Sequence, residues 1–320
     1  MTTVMVLGGT GFLGSHICEA FHATGSSVVC VSRDGPGPDA AGPFRHIRLD
    51  LARAGVVELG ELVAGVTPDI VVNAAGLAVG ATDRQLRAIN AEFVDRLVAA
   101  VGADTRLIQI GSSHEYGPDA RGATTDESHQ PAPLSVYGRT KLHGTRAVLR
   151  AGRTVLRVSN VAGPRAREDT LPAVVARQLA RIAATGSDRP AELRLASLRT
   201  WRDYVDVRDV AEAVLAATTA PAEAVAGQVI NIASGEAVHV RTVVQRMIAL
   251  GGLPVRLVEE PGARLPREPM EWQRLDVSRA WELLGWRPGR GLDESLADLL
   301  TAVWPPEPVR RNQPVVSTQP

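Results

Sequence analysis

Tyr137 and Lys141 stand four residues apart in the string Tyr137-Gly138-Arg139-Thr140-Lys141. On a helix that spacing puts both side chains on one side, about 5–6 Å apart at Cβ. A phenol whose ordinary pKa is about 10 is a poor acid or base at neutral pH, and a neighbouring ammonium favours its ionised form. Upstream, the apolar run 107–110 ends in Gly111-Ser112-Ser113. If that run is a strand of an open α/β sheet, Ser112 lies at the end where ligands bind and can donate a hydrogen bond to a carbonyl or hydroxyl. A proton source, a polarising hydroxyl and a cation are what hydride chemistry at a carbonyl needs beside a donor cofactor. Singly these signals are weak, because Tyr-x-x-x-Lys is common on exposed helices and paired serines often cap turns. Their order behind a third motif is what is informative.

That motif is Gly8-Gly9-Thr10-Gly11-Phe12-Leu13-Gly14, which follows the apolar run 4–7 and opens the helix-period segment 12–24. Gly8 suits a tight turn, Gly11 lets a pyrophosphate approach the helix N-terminus, and Gly14 lets the helix pack closely on the strand. Thr10, Phe12 and Leu13 share the turn and are expected to line the nucleotide. NAD sites usually carry an acidic residue at the end of the second strand, to hold the ribose 2′-OH. Here the run 27–31 leads into Ser32-Arg33, and Asp34 comes late. A hydroxyl and a guanidinium suit a 2′-phosphate, so NADP(H) is the expected cofactor, with NAD possible. The competing reading is that Arg33 is an ordinary surface charge. Asp50 and Leu51 are expected near the adenine. Ala74 and Ala75, in Asn73-Ala74-Ala75-Gly76, are expected along the cofactor's other side. Lys141 is expected to hold the nicotinamide ribose next to Tyr137.

The elements that must position these groups follow from periodicity. Runs 4–7, 27–31, 70–73 and 107–110 are short, apolar and rich in Val and Ile, as strands buried on both faces are. Segments 12–24, 56–64 and 83–101 carry a helical period. The alternation predicts an α/β fold of Rossmann type, a doubly wound parallel sheet. Further on, 155–160 and 229–232 read as strands, and 171–184, 240–250 and 278–284 as helices. We expect residues 1–165 to bind the cofactor, with 205–235 returning to that domain. A smaller C-terminal substrate-binding domain is expected from 166–204 and 236–304. The proline-rich stretch 261–269 reads as an irregular loop. Residues 305–320, within a last segment that holds five prolines from Trp304 onward, read as a mobile tail.

Composition removes several function classes. Lys+Arg 35 balance Asp+Glu 35 in 320 residues, without the basic excess of a nucleic-acid binder. Two cysteines, Cys18 and Cys30, exclude a disulfide scaffold, and seven scattered histidines lack ligand spacing, so no metal is expected. No run of about 18 apolar residues is available to span a membrane. Met1 leads straight into an apolar run without a basic segment, which reads as a core strand and not a signal peptide, so a cytoplasmic location is expected.

Taken together, the chain resembles the extended short-chain dehydrogenase/reductases, in the branch that modifies nucleotide sugars. The resemblance rests on residues 8–14, 73–76, Ser112 with Tyr116-Gly117, Tyr137 with Lys141, residues 157–164, 202–210 and Leu284-Gly285-Trp286-Arg287-Pro288. It implies that Ser112, Tyr137 and Lys141 form the catalytic triad and that Asn90 supports the active-site helix. It places Ser113, His114 and Asn160 at the nucleotide-sugar pocket and Arg202 at the substrate diphosphate. Dehydratases of this branch carry an acid, usually Glu, two residues after the catalytic Ser or Thr. Here that position is His114, and Glu115 comes next. The string 110–117 is most similar to reductases of 4-keto-6-deoxy nucleotide sugars. The expected activity is NADPH-dependent reduction of a keto group on a nucleotide-linked deoxysugar. A nucleotide-sugar epimerase with tightly bound NAD, a reductase of a non-sugar ketone or aldehyde, and a non-catalytic dinucleotide sensor are the alternatives. The resemblance also implies a homodimer through the helices near 83–101 and 137–150. The apolar residues Leu86, Ile89, Phe93, Leu97 and Val101 serve either that face or the core.

Overall fold

In strand β1 (Thr3–Leu7), Val4 and Val6 bury on one face while Met5 and Leu7 bury on the other. The same alternation runs through β2 (Ser27–Ser32), β4 (Ile70–Asn73) and β5 (Arg106–Ser112), with β3 (Arg45–Arg48) half exposed at the edge. Strands apolar on both faces require cover on both, which parallel βα connections provide. Helix α1 (Phe12–Ala23) covers the Val4 face; α2 (Val56–Val66), α3 (Asp83–Arg87), α4 (Phe93–Ala100) and α5 (Val136–Arg150) lie in sequence between the strands that follow. From α4 and α5, Phe93, Val94, Leu97, Ala147 and Val148 bury on the Met5 face. The computed structural model describes residues 1–35, 43–78, 80–186, 189–260 and 270–304.

The second half continues with β6 (Thr154–Val158), β7 (Asn160–Ala162), α6 (Leu171–Ala184), β8 (Ala191–Leu195), β9 (Trp201–Asp206) and α7 (Val207–Thr219). It ends with α8 (Ala222–Val225), β10 (Val229–Ile232), β11 (Ala237–His239), α9 (Val240–Gly251), β12 (Val255–Glu259), α10 (Ser278–Leu284) and α11 (Leu292–Val303). The seven-stranded sheet runs β10-β6-β5-β4-β1-β2-β3, every pairing parallel. Strand order reverses between β1 and β4, so the crevice at their carboxyl ends is where such a sheet binds ligands. A three-stranded sheet (β11-β9-β7) and a two-stranded one (β12-β8) form beside it, over a third core built from α6, α9 and α11.

Three expectations change. The run 155–160 is not one strand: β6 stops at Val158, opposite the last residue of β5, Ser112. Beyond that point β5 offers no partner, and Asn160 pairs with Tyr204 of β9 instead. The helix expected over 83–101 contains a wide π-type turn at 88–92, which separates α3 from α4. Of residues 278–286, expected with the smaller domain, Ala280 and Trp286 bury in the core of the central sheet, with the Trp286 indole donating to Asp209 O at 3.0 Å. The loop expected at 261–269 and the tail expected at 305–320 lie outside the described residues.

Candidate active site

The glycine turn needs glycine for two separate reasons. Gly8 has a φ of +80°, and a Cβ there would stand 2.8 Å from the backbone of Ala75. A Cβ on Gly14 would stand 2.1 Å from the Gly8 carbonyl oxygen. The Gly8 and Gly9 amides donate to Val31 O at 2.8 and 3.3 Å, which ties the turn to the end of β2. No side chain caps the N-terminus of α1, and no acidic residue stands in its first turn. The amides and the positive end of the helix dipole are therefore left for an anion. Thr10, Gly11, Phe12 and Leu13 keep partly exposed surface around it.

Ser32 closes β2; its hydroxyl is buried and has no hydrogen-bond partner among the described residues. Arg33 is exposed, and its guanidinium is forked by the Asp34 carboxylate at 2.8 and 3.1 Å. Asp50 accepts the Ala52 amide at 3.1 Å, while Leu51 turns into the core beneath β1 and β2. Ala74 and Ala75 press against Gly8, held by Asn73, whose side chain accepts the Ala75 amide and donates to Gln109 at 2.8 Å. An uncapped helix start, a cradle that any Cβ would fill and an orphaned hydroxyl at the β2 end fit a dinucleotide.

Helix α5 carries the proton-transfer pair. Ser135 caps it by accepting the Gly138 amide at 2.9 Å, which sets Tyr137 in its first turn. Two glycines let α5 come close: a Cβ on Gly138 would meet His114 O at 2.5 Å, and one on Gly144 would meet Asn90 O at 2.6 Å. Lys141 is buried and its ammonium donates to Ile110 O of β5 at 2.6 Å. Burial holds its pKa below the ordinary lysine value, against the opposing field of Glu115. Asn90, in the π turn, donates to Leu77 O and accepts from Leu77 N at 2.9 and 3.1 Å, and its amide reaches Thr140 at 3.4 Å. It thereby locks the loop after β4 to α5. The Ser112 hydroxyl accepts the His114 amide at 3.3 Å as a turn cap, so its own proton is available to a substrate oxygen. The His114 ring stands edge-on to Tyr137, 5.6 Å between centroids.

Glu115 does not face this group. It is fully buried, with one carboxylate oxygen accepting the Ser112 amide at 2.7 Å and the other taken by Arg157 of β6 at 2.8 Å. Arg157 lies over the Tyr116 ring at 4.3 Å. Gly111 makes room, since a Cβ there would stand 2.9 Å from the Glu115 carboxylate. On the far side, Asn160 donates to Asp203 O at 3.0 Å and to Gln273, which itself donates to the Ser113 hydroxyl at 2.7 Å. Arg202 is buried on β9 and donates to Met270 O at 2.7 Å. The sequence reading missed Gln273 and the Glu115–Arg157 pair. Among the described residues no group of His, Cys, Asp and Glu could hold a metal ion, and no helix is long and apolar enough to cross a membrane.

The family model described as the NAD dependent epimerase/dehydratase family matches residues 4–233. The chain is 38% identical to a dTDP-6-deoxy-L-talose 4-dehydrogenase (NAD(P)(+)) of Kitasatospora kifunensis, over 93% of this chain and 95% of that protein. It is 26% identical to a GDP-6-deoxy-D-mannose reductase of Pseudomonas aeruginosa, over 93% of this chain and 96% of that one. Among solved structures, MoeE5 in complex with UDP-glucuronic acid and NAD superposes with a TM-score of 0.78 at 29% identity, covering 94% of this chain and 98% of that chain.

Proposed function

Because the chain belongs to the NAD-dependent epimerase/dehydratase family, we propose that it interconverts a hydroxyl and a keto group on a nucleotide-linked deoxysugar, in the reducing direction with NADPH. The observations that support the reading are Ser112 as the last residue of β5, the Lys141 ammonium on Ile110 O two residues before it, and the Tyr137 ring 5.6 Å from the His114 ring two residues after it, beside the switch point of the sheet. NADPH, when bound, supplies the hydride. Tyr137 gives its proton to the carbonyl oxygen, and the Ser112 hydroxyl polarises that oxygen by donating to it. The buried Lys141 ammonium favours the ionised phenol, which eases proton loss from Tyr137, and it can hold a ribose hydroxyl. Thr10, Gly11, Phe12, Leu13 and the uncapped start of α1 hold the pyrophosphate, and Ser32 and Arg33 the 2′-phosphate. Ser113, His114, Asn160 and Arg202 face the sugar nucleotide. Dehydration is disfavoured, because the carboxylate nearest Ser112 in sequence is engaged by Arg157 and by the Ser112 amide.

The test follows NADPH absorbance with dTDP-6-deoxy-L-talose and NADP+ in the oxidising direction. Tyr137→Phe is expected to lower kcat by roughly 10²–10⁴-fold while NADPH binding persists. An unchanged kcat refutes the assignment. One observation favours a second reading, an epimerase that keeps NAD: the Arg33 guanidinium is already satisfied by Asp34. Stoichiometric NAD released on denaturing the purified protein would put that reading first.

We also infer a homodimer through α4 and α5, the helices that the sequence reading expects to pair, with the apolar residues it names serving the core. Leu86, Ile89, Phe93, Leu97 and Val101 are all buried within the protomer. What α4 and α5 leave outward is polar at Asp95, His143, Arg146 and Arg150, with His143 on Asp95 at 2.7 Å, and apolar at the exposed Ala99 and the half-exposed Val98 and Leu149. A monomeric mass by light scattering would contradict the dimer.

A further inference from the structure

Gln273 is buried in a strap, residues 270–276, that crosses from β9 to the loop after β5. The strap is fastened along its length. The Trp201 amide donates to Glu271 O, the Thr125 amide to Arg274 O and the Asp276 amide to Thr125 O, all at 2.8–2.9 Å. The Leu275 amide donates to the Asp203 carboxylate at 3.2 Å, and the Trp272 indole to Ala123 O at 2.7 Å. Such a strap holds one side chain in one place.

The polarity of the bonds around Gln273 follows from one atom whose role is fixed. The Asp203 backbone oxygen can only accept, so the Asn160 atom 3.0 Å from it is the amide nitrogen. That same nitrogen faces Gln273, so the Gln273 atom there is the carbonyl oxygen. The other end of Gln273, its NH₂, must then face Ser113, to whose hydroxyl it donates at 2.7 Å. Both Asn160 protons are thereby used, and its Oδ1 remains an acceptor without a partner among the described residues. The Ser113 oxygen receives a proton from Gln273, and its own O–H remains a donor.

We propose that Gln273 is a positioning residue that sets the hydrogen-bond polarity of the substrate side of the site. It makes Asn160 an acceptor for a substrate hydroxyl and Ser113 a donor to a substrate carbonyl or ether oxygen. Ser112 and Val158 are register partners at the ends of β5 and β6, so Ser113 and Asn160 stand one and two residues beyond the same sheet edge. A sugar ring that presents its keto oxygen to Ser112 thus meets a donor and an acceptor in a fixed order. This rests on the reading given under Proposed function and specifies which substrate groups that site accepts.

Glutamate at 273 provides a test that packing alone does not move. An ionised carboxylate has no proton to give, so it accepts from both Asn160 and Ser113 and draws the Ser113 proton away from substrate. A protonated carboxyl accepts at one oxygen and donates at the other, which restores the pattern that glutamine makes. With dTDP-6-deoxy-L-talose and NADP+ as probe, Gln273→Glu is expected to raise KM about tenfold near pH 8, the size of one lost hydrogen bond, with a smaller fall in kcat. That defect should shrink as the pH falls toward about 5, because burial raises a carboxyl's pKa. Gln273→Met should show a raised KM without the pH relief. NADPH binding, followed by fluorescence, reports that each variant is folded. Should the substitutions at 273 prevent folding, Ser113→Ala carries the test: a KM raised severalfold with intact NADPH binding supports the assignment. An unchanged KM in folded variants, or equal and pH-independent defects in the Glu and Met variants, overturns the positioning role alone. Absence of turnover in the unaltered enzyme, which still binds NADPH, overturns the underlying reading and this inference with it.

Discussion

Glu115 and Arg157 offer a perturbation that separates scaffold from chemistry. Both side chains are buried, at 0% and 3% exposure, with 2.8 Å between charged atoms. At an effective dielectric near 20 the Coulomb attraction at that distance is roughly 6 kcal/mol, much of it offset by desolvation of both ions. Removing one partner strands the other charge, which typically costs about 3–5 kcal/mol. Glu115→Gln keeps an acceptor for the Ser112 amide but sets an NH₂ against the guanidinium. Arg157→Met leaves the buried carboxylate with the Ser112 amide but without its counter-ion. Each single variant should lose about 3–5 kcal/mol in urea unfolding followed by tryptophan fluorescence. The double variant should lose clearly less than the two losses combined, because neither ion is then stranded. In conditions where Glu115→Gln stays folded, its kcat should fall by no more than about tenfold, since the carboxylate never meets substrate. A kcat reduced by about 10³-fold with unchanged stability would refute the argument and make Glu115 a proton donor to substrate, as dehydration requires.

Three further outcomes follow from the site. Gly14→Ala puts a methyl against the Gly8 carbonyl, and should cost about 1–3 kcal/mol of stability as well as weaken NADPH, measured by unfolding and by fluorescence titration. Lys141 has a pKa below its unfolded value, so the unfolded chain binds more protons in alkali and stability recovers as pH rises from that depressed pKa toward the ordinary lysine value of about 10.4. Lys141→Met should therefore raise Tm at neutral pH, by a margin that narrows toward alkaline pH, while turnover is lost; a margin that grows with pH would contradict this. Arg33→Ala should raise KM for NADPH about tenfold more than KM for NADH, the size of one charge-assisted contact; equal effects would leave Arg33 a surface ion paired with Asp34.

Six of the seven strands of the central sheet were legible because they are apolar, a pattern set by cover on both sides of a parallel sheet; the edge strand β3, Arg-His-Ile-Arg and half exposed, was not. Strand β9 was not, because Arg202, Asp203 and Asp206 are buried in it with their partners, and hydropathy reads buried pairs as surface. β8 carries an alternation, Ala-Glu-Leu-Arg-Leu, that is present in the sequence but too short to separate from a loop. The glycine turn and the order of Ser112, Tyr137 and Lys141 could be read locally, since each lies in one loop or one helix turn. Glu115 could not be assigned a direction, because the same residue serves substrate or Arg157 depending on a rotamer. Gln273 was invisible for a related reason: its partners lie 113 and 160 positions away in sequence.

The wide turn at 88–92 gives the segment 83–100 a phase change. A regular helix advances about 100° per residue, so loss of one residue from that turn would rotate Leu86 and everything before it by that angle relative to Phe93 and Leu97. Asn90 would leave the loop backbone it holds on both sides of Leu77. Length, as much as the identity of Asn90, is therefore what this segment must keep for the site: a substitution on its outer face leaves the phase unchanged, whereas a single-codon deletion there would uncouple the loop after β4 from α5.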